Sequence, residues 1–225
     1  MRVLKEPVNK VRRADMQEKT YSAITVSRQM GSGGTYIGYL AAKKLGFRYL
    51  DREILQQAAK ETGIEPQILE NFDSRSVPLL EKIINSFCFG TPEVPGVPSF
   101  RKPIYDKDLF TLESKIIKQI SGQCSAVIVG RGGFYILKDR PDAIHIFIHA
   151  PFDYRVERIM KEKKIDEREA RTMVQESDRT RAKFIRDMLG IEWTDARNFH
   201  LCIDSSIISL SDGMDMITKL VKKES

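Results

Sequence analysis

The sequence predicts an α/β protein, a three-layer α/β/α sandwich in which a parallel sheet of about five strands lies between helices. Three observations lead to this fold class. Short β-branched or apolar runs alternate with longer amphipathic segments along most of the chain. Some of these runs, such as residues 126–129, are apolar throughout, as expected for a strand buried on both faces. The 225 residues also suffice for one large domain.

A glycine-rich loop follows the first predicted strand and precedes the first predicted helix. The strand begins near Ile24, and residues 31, 33 and 34 are glycine. Glycine lets successive main-chain N–H groups point into one concavity, and a helix N-terminus adds unpaired N–H groups and the positive end of its dipole. The segment therefore predicts a phosphate-binding loop, with these residues as donors: Gly31, Ser32, Gly33, Gly34 and Thr35.

The loop departs from the phosphate-loop pattern G-x-x-x-x-G-K-[ST]. In the register that begins at Arg28, Gly33 takes the second glycine, and Thr35 takes the hydroxyl that usually meets Mg²⁺. Arg28 replaces the first glycine and Gly34 replaces the lysine. We expect Arg28 to supply the charge that Gly34 lacks, and the hydroxyl of Thr35 or Ser32 to help place Mg²⁺. The plainer alternatives are a turn that binds nothing and an arginine that is only a surface charge.

The second predicted strand ends at an acidic residue. The first helix, 34–45, stops at Gly46, and a short strand covers 47–50. Asp51 then begins another helix. Because the carboxyl ends of parallel strands hold ligand groups in α/β proteins, Asp51 is a candidate substrate-binding residue. A plain N-cap is the alternative.

An insert separates this strand from the next one. Residues 64–87 predict helix, and the prolines and glycines between 90 and 103 predict a loop. Long loops of this kind are either functional or disordered. The loop is therefore either a lid over the substrate or a surface excursion.

The second half of the chain continues the alternation. The expected elements are helix 108–120, strand 126–129, a short helix 135–137, strand 143–148, a helix after Pro151, a long polar helix 166–188, strand 199–204 and helix 214–221. Arg131 follows a buried strand between glycines, which suits a ligand for the acceptor phosphate. A structural arginine that bonds loop carbonyls is the alternative. His145, His149 and His200 lack metal-ligand spacing, so core or surface roles are expected.

Composition and charge are those of a globular protein with an anionic ligand. Hydrophobic residues make up 41% of the chain, charged residues 30%, and the formal net charge is +6. This charge suits a nucleotide, although it would also suit nucleic acid or an acidic membrane surface. Residues 1–20 are basic without interleaved aromatic residues, so we expect a flexible solvated arm rather than one that binds nucleic acid.

Cysteine spacing and hydropathy predict a reduced protein in the cytoplasm. Cys88, Cys124 and Cys202 are far apart and lack C-x-x-C pairing, which favours reduced, mostly buried thiols. No apolar run approaches membrane-spanning length, and no signal peptide is present. We therefore expect a cytoplasmic location and no membrane partner. Self-association as a homo-oligomer is reasonable, but no pattern demonstrates it.

Separated motifs resemble, in the right order, those of the cytidylate kinase-like family, a divergent branch of the P-loop nucleoside monophosphate kinases. They are Ser27-Arg28-Gln29-Met30-Gly31-Ser32-Gly33-Gly34, Gly130-Arg131-Gly132, Asp178-Arg179-Thr180-Arg181, and the segment from Gly190-Ile191-Glu192-Trp193 to Ile203-Asp204. The resemblance implies one P-loop kinase domain over 21–225, with a monophosphate-binding insert at about 64–106 and an arginine-bearing lid at about 165–195.

The resemblance also implies transfer of the ATP γ-phosphate to CMP or dCMP with Mg²⁺. Phosphoryl transfer requires aligned and neutralised oxygens, which guanidinium groups provide. The match to lid arginines implies catalytic roles for Arg179 and Arg181 beside Arg28 and Arg131. Solvated helix charges are the alternative, and residues two apart do not share a helix face.

Departures from the family pattern leave the acceptor open. Typical members carry G-R-D, whereas this chain has Gly132 in place of the acid. Typical members also carry D-S-G-A-x-Y-R after the second strand, and in this chain only the first residue of that motif, Asp51, matches. A CMP or dCMP kinase is the first reading. The alternatives are a kinase for another small phosphate acceptor, and a nucleotide-binding regulatory protein that lost catalysis with the lysine. Lysine loss favours the regulatory protein, whereas the retained arginines favour a kinase.

Overall fold

The structure is a computed structural model that describes residues 23–51 and 107–221. The predicted arm at 1–20, the predicted helices from residue 52 and at 64–87, and the predicted loop at 90–103 lie outside the described residues.

Strands and helices alternate along the described chain. In order they are β1 (Ala23–Arg28), α1 (Gly34–Leu45), β2 (Arg48–Leu50), α2 (Lys107–Gln123), β3 (Ala126–Val129), α3 (Gly133–Ile136), β4 (Ala143–His149), α4 (Phe152–Lys163), α5 (Glu167–Leu189), a 3-10 helix (Ala196–Asn198), β5 (Leu201–Asp204) and α6 (Leu210–Val221). Within the described ranges, each strand and helix expected from the sequence is present.

The start of α6 is the boundary that the sequence places worst. The helix begins four residues before the predicted position 214. Ser209 and Asp212 cap it reciprocally, because the Asp212 main-chain N–H donates to Ser209 Oγ at 3.1 Å and Ser209 Oγ donates to Asp212 Oδ2 at 2.7 Å. Gly213, which looks like a boundary in the sequence, is instead buried against Ile37.

The sheet is parallel, with strand order β2-β3-β1-β4-β5. One face packs against α1 and α6 in a core that includes Ile24, Ile37 and Ile217. On the other face Phe147 of β4 packs with Phe134 of α3 and with α5. Helices cover both faces, so the predicted three-layer α/β fold is confirmed. The fully apolar strands follow from this double burial.

The strand order sets the positions of the candidate residues. β1 is central, so the loop that follows it lies at the middle of the carboxyl edge of the sheet. Gly130 and Arg131 follow β3, the neighbouring strand, and Asp51 follows β2, the edge strand beyond it. The order of the strands reverses around β1, which is where open α/β sheets bind ligands.

The cysteine prediction is wrong in two respects. Cys124 is disulfide-bonded rather than reduced. Cys202 is a free thiol, as expected, but it lies on the edge strand β5 and is exposed rather than buried. Spacing along the chain gave no information about proximity in the fold. None of the helices in the described ranges is both long and apolar enough to cross a membrane.

Candidate active site

The loop between β1 and α1 has the backbone conformation of an anion cradle. Gly31 and Gly33 have φ of +79° and +76°, in the left-handed region that side chains disfavour. Gly33 is the N-cap of α1, so the first main-chain N–H groups of this helix point out of its N-terminus. Some of the predicted donors serve the loop itself: Ser32 N–H donates to Gln29 O at 3.3 Å, and Gly34 N–H donates to Ser32 Oγ at 3.4 Å.

Ser32 is an internal brace of the loop. Its side chain is fully buried, and its hydroxyl donates to the Gln29 carbonyl at 2.8 Å. The same oxygen accepts the Gly34 N–H. The hydroxyl therefore fixes the turn instead of facing a ligand.

Arg28 lies on Gly34, the residue that stands in the place of the usual lysine. A Cβ on Gly34 would be 2.5 Å from Cβ of Arg28 and 3.1 Å from Cβ of Ile148. A Cβ on Gly130 would collide with Nη1 of Arg28. Arg28 Nε donates to Thr35 Oγ1 at 3.3 Å. The guanidinium is therefore held between the N-terminus of α1 and the end of β3, in space that two glycines leave open.

Arg131 is buried in an ion pair. It is 8% exposed, its φ is +55°, and its Nε donates to Oε2 of Glu113 at 2.6 Å. Its Nη2 donates to the same oxygen, and its guanidinium carbon lies 5.3 Å from the ring centroid of Phe184. Glu113 thus neutralises much of the charge with which Arg131 would attract a phosphate. The sequence analysis missed Glu113, although the residue shares the buried face of α2 with Ile116, Ile117 and Ile120.

Arg155 connects the long helix α5 to the glycine-rich loop, and the sequence analysis missed it. Its Nε donates to the Ala150 carbonyl at 2.9 Å and its Nη1 to the Met30 carbonyl at 3.1 Å. Its Nη1 also pairs with Oδ2 of Asp178 at 2.7 Å. Burial raises the pKa of Asp178, while Arg155, Arg181 and the main chain of Met30 act to lower it. The sequence does place this arginine in the first turns of a predicted helix that follows a strand, and that position could have indicated a role at the loop.

Arg179 and Arg181 lie on different faces of α5, as their spacing indicates. Arg181 is half-buried and close enough to Asp178 to lower the pKa of that carboxyl group. Arg179 is exposed and lines an open cavity of about 540 Å³ between α4 and α5, together with Phe152, Arg171, Gln175 and Asp178. None of the predicted loop donors lines this cavity. The structure therefore separates the two arginines that the sequence analysis grouped.

Arg158 is a further cation at the loop that the sequence analysis missed. A Cβ on Gly33 would be 2.6 Å from Nη1 of Arg158 and 2.8 Å from Cδ2 of Leu210. The guanidinium, whose Nε donates to Glu162 Oε1 at 2.7 Å, therefore lies against the outer side of the loop. Arg155 and Arg158 are three apart on α4, so they occupy one face of the helix.

The hydroxyls predicted to place Mg²⁺ both have hydrogen-bond partners within the protein. Mg²⁺ requires oxygen ligands with free lone pairs in near-octahedral geometry. The Thr35 hydroxyl accepts an N–H group from Arg28, and the Ser32 hydroxyl is used inside the loop. Within residues 23–51 and 107–221, no group of three acidic, histidine or cysteine side chains could hold a metal.

The sheet order, the glycine-rich loop after the central strand and the arginines at the same edge define a P-loop nucleotide-kinase fold. The model of the cytidylate kinase-like family matches residues 23–207, and the chain belongs to this family. A cytidylate kinase of Pyrococcus abyssi is 27% identical over 184 residues, which are 81% of this chain and 84% of that protein. A cytidylate kinase of Methanopyrus kandleri is 33% identical over 63 residues, which are 28% of this chain and 33% of that protein.

A solved structure supports the fold alone. The crystal structure of an uncharacterized protein from Eubacterium ventriosum aligns with a TM-score of 0.63 at 22% sequence identity. The alignment covers 90% of this chain and 99% of that protein. At this identity the similarity concerns architecture and carries no information about the substrate.

Proposed function

We propose that this chain transfers the γ-phosphate of ATP to a nucleoside monophosphate, with CMP or dCMP as the first candidate acceptor. Family membership and the nucleotide-kinase fold support a phosphotransferase. The observation that carries the proposal is the packing of Arg28 on Gly34 beside the N-terminus of α1. A cation stays at the loop although the lysine is absent.

Arg28 takes the part of the missing lysine in this proposal. The loop donates the N–H groups of Gly31, Gly33 and Thr35 to the β-phosphate. Arg28 reaches the transferred group from the end of β1 instead of from α1. A guanidinium keeps its charge at any working pH and can bond two phosphate oxygens together. Positioning and charge neutralisation are the main tasks in phosphoryl transfer, and an arginine meets both.

The remaining arginines have separate parts in the proposal. Arg181, beside Asp178, faces the loop from the lid and neutralises the transferred phosphate. Arg179, on the exposed side of α5, takes part in catalysis when the lid is closed. Asp51 orients the acceptor nucleoside from the end of β2. Arg131 keeps the end of β3 in shape through Glu113 and binds the acceptor phosphate with the donor hydrogens that this carboxylate leaves.

A second candidate acceptor is favoured by a specific observation. Glu113 neutralises Arg131, and Gly132 stands in place of the acid of the family motif. Both features concern Arg131 and its neighbour, which the sequence analysis assigned to the acceptor phosphate, so a kinase for another nucleotide or small phosphate acceptor is the alternative. We also propose the cytoplasm as the location, because ATP is the donor. Homo-oligomer formation stays a prediction.

A coupled assay of ADP release with ATP, Mg²⁺ and a panel of nucleoside monophosphates tests the proposal. We expect turnover with CMP or dCMP, and we expect Arg28→Ala to lower kcat/KM by about 10²- to 10³-fold, as for loss of one preorganised charge donor. Arg140→Ala is the matched control. Arg140 precedes β4, at the opposite edge of the sheet, and pairs with Asp142, so its loss should leave turnover unchanged.

Two results would contradict the proposal. Tight ATP binding without turnover of any acceptor would leave a nucleotide-binding regulatory protein. Unchanged turnover and ATP affinity in Arg28→Ala would show that this arginine does not replace the lysine.

A further inference from the structure

We propose that the Arg28 guanidinium holds the Thr35 hydroxyl in place of Mg²⁺, so that this chain binds ATP almost equally well with and without the metal. The inference rests on the proposed function and deepens it, because it concerns the same phosphate site. It arises from a conflict between the predicted metal ligand and the observed hydrogen bond.

The conflict concerns one oxygen atom. Arg28 Nε–H points at Thr35 Oγ1 at a distance of 3.3 Å. A magnesium ligand must turn a lone pair to the metal at about 2.1 Å, and the metal adds two positive charges beside the guanidinium. Like charges at such short range repel each other strongly in a partly buried site. The hydroxyl oxygen has two lone pairs, so the guanidinium occupies one of them and its positive charge disfavours a metal ion at the other.

The position of Arg28 is built into the fold at both ends of its side chain. Its Cβ lies where a side chain on Gly34 would begin, with Ile148 beside it. Its Nη1 lies where a side chain on Gly130 would begin. Any other residue at either glycine would push the arginine off Thr35. The contact with Thr35 thus depends on the space that two separate glycines, Gly34 and Gly130, leave for the arginine.

The surroundings give a metal little other support. Ser32, the other candidate hydroxyl, is fully buried and bonded inside the loop. The residue after Arg131 is a glycine, so no carboxylate follows β3 at the position next to the loop. Arg155 and Arg158 also lie at the loop, where Asp178 and Glu162 pair with them. Arg28 carries the charge that a triphosphate meets at the N-terminus of α1, and a guanidinium can bond phosphate oxygens without a metal.

Titration calorimetry of ATP with the full chain tests the inference, once with excess Mg²⁺ and once with EDTA. For the wild type we expect the two dissociation constants to agree within about threefold. Arg28→Met removes the positive charge and the N–H group from Thr35, so Mg²⁺ gains access to the hydroxyl. In that variant we expect Mg²⁺ to tighten ATP binding by about tenfold or more. Arg140→Met, at the opposite edge of the sheet, should behave as the wild type.

Thr35→Val supplies the decisive comparison, since valine keeps the shape and removes the hydroxyl. In an otherwise wild-type chain it should leave the weak magnesium dependence unchanged. Wild-type binding that Mg²⁺ tightens by about tenfold or more, with this gain lost in Thr35→Val, would overturn the inference while leaving the kinase proposal intact. Absence of ATP binding under both conditions would overturn the kinase proposal and this inference together. Thermal unfolding confirms that each variant is folded before it is titrated.

Discussion

Gly34 lies in a helix, where the space left by its missing side chain is more important for packing than the freedom of its backbone. In an ordinary helix, alanine would stabilise this position over glycine by about 1 kcal/mol. Here a Cβ would lie 2.5 Å from Cβ of Arg28, an atom next to the main chain that cannot swing aside. We therefore expect Gly34→Ala to lower the free energy of unfolding by about 1–3 kcal/mol, the usual cost of overpacking, and to weaken ATP binding. Urea denaturation and calorimetry measure the two effects.

Gly122 provides the control for this prediction. It lies in α2 with no atom within 4 Å of the position of an added Cβ. Gly122→Ala should be neutral or slightly stabilising. In the double variant with Arg28→Gly, the closest contact at Gly34→Ala is removed and the contact with Ile148 at 3.1 Å remains, so stability should recover in part while ATP affinity does not. Equal stability of the Gly34→Ala and Gly122→Ala variants would contradict the close packing of Arg28 against Gly34.

The residues that sequence reasoning found and missed differ in the range of their contacts. Glycines with positive φ and an arginine beside them could be read locally, since the loop is contiguous. Glu113, Arg155 and Arg158 act through partners far along the chain, and no local pattern shows which partner an arginine has. For the same reason Arg131 looked like a phosphate ligand, although a carboxylate from α2 pairs with it.

At the scale of elements, α4 and α5 are joined by one buried and one exposed ion pair. Arg155 and Asp178, with side chains 5% and 23% exposed, form the buried pair, and Arg171 and Asp153 form the exposed one. Removing one partner of a buried pair leaves an uncompensated charge in a poorly solvated place. An exposed pair contributes little, because water and salt screen it. Arg155 therefore links α5 to the loop through a buried ion pair, beside the apolar cluster of both helices against which Met30 packs.

We expect Arg155→Met to lower the free energy of unfolding by about 3–5 kcal/mol, because it leaves the Asp178 carboxylate, whose pKa burial already raises, without its nearest ionic partner. The matched change Arg171→Met, in the exposed pair between the same two helices, should cost much less, since water and salt screen that pair. Urea denaturation of both variants at neutral pH gives the comparison. Equal losses would show that the Arg155 pair does not anchor α5.

The helices and strands were predictable where one physical rule determined them. A run such as Ala126–Val129, apolar at every position, reads as a strand buried on both faces, and the structure has those bounds. Gly46 and Gly190 mark helix ends because both adopt the left-handed conformation. The start of α6 was placed too late because the cap formed by Ser209 and Asp212 was not used.

At the scale of the whole molecule, a buried histidine makes stability depend on pH. His145 is 5% exposed, and its Nδ1 lies 2.8 Å from Thr25 Oγ1. Burial, and secondly the neighbouring His200, lower the pKa of His145 from 6.5 to about 4. The unfolded chain therefore binds a proton at His145 below about pH 6.5, whereas the folded chain binds it only below about pH 4. Stability from this group is complete above pH 6.5 and is lost as the pH falls towards 4.

Denaturation at pH 7 and pH 5 checks this prediction. The wild type should lose about 2 kcal/mol through His145 over this interval, and His145→Gln, which cannot be protonated, should lose correspondingly less. The raised pKa of Asp178 acts in the opposite direction, because its folded form takes up a proton more readily on acidification. Since both chains carry Asp178, the difference between them isolates the histidine. Parallel losses in the two chains would contradict the prediction.

The sheet order ties these scales together. The parallel sheet and its apolar strands could be inferred from the sequence, because buried parallel strands have a recognisable composition, whereas the central position of β1 became known only from the structure. The pairing of Arg131 with Glu113 and of Arg155 with Asp178 depends on how helices pack around that sheet. Such packing is a property of the complete chain, and no short motif contains it.

The shared space of Arg28 and Gly34 has a consequence for descent within the family. An ancestor with glycine at the first position and lysine at the second could not acquire the arginine first, because two long side chains would compete for one gap. It could not lose the lysine first without leaving its triphosphate uncompensated. Related genomes should therefore contain either pair intact, and the mixed combinations should be rare among them.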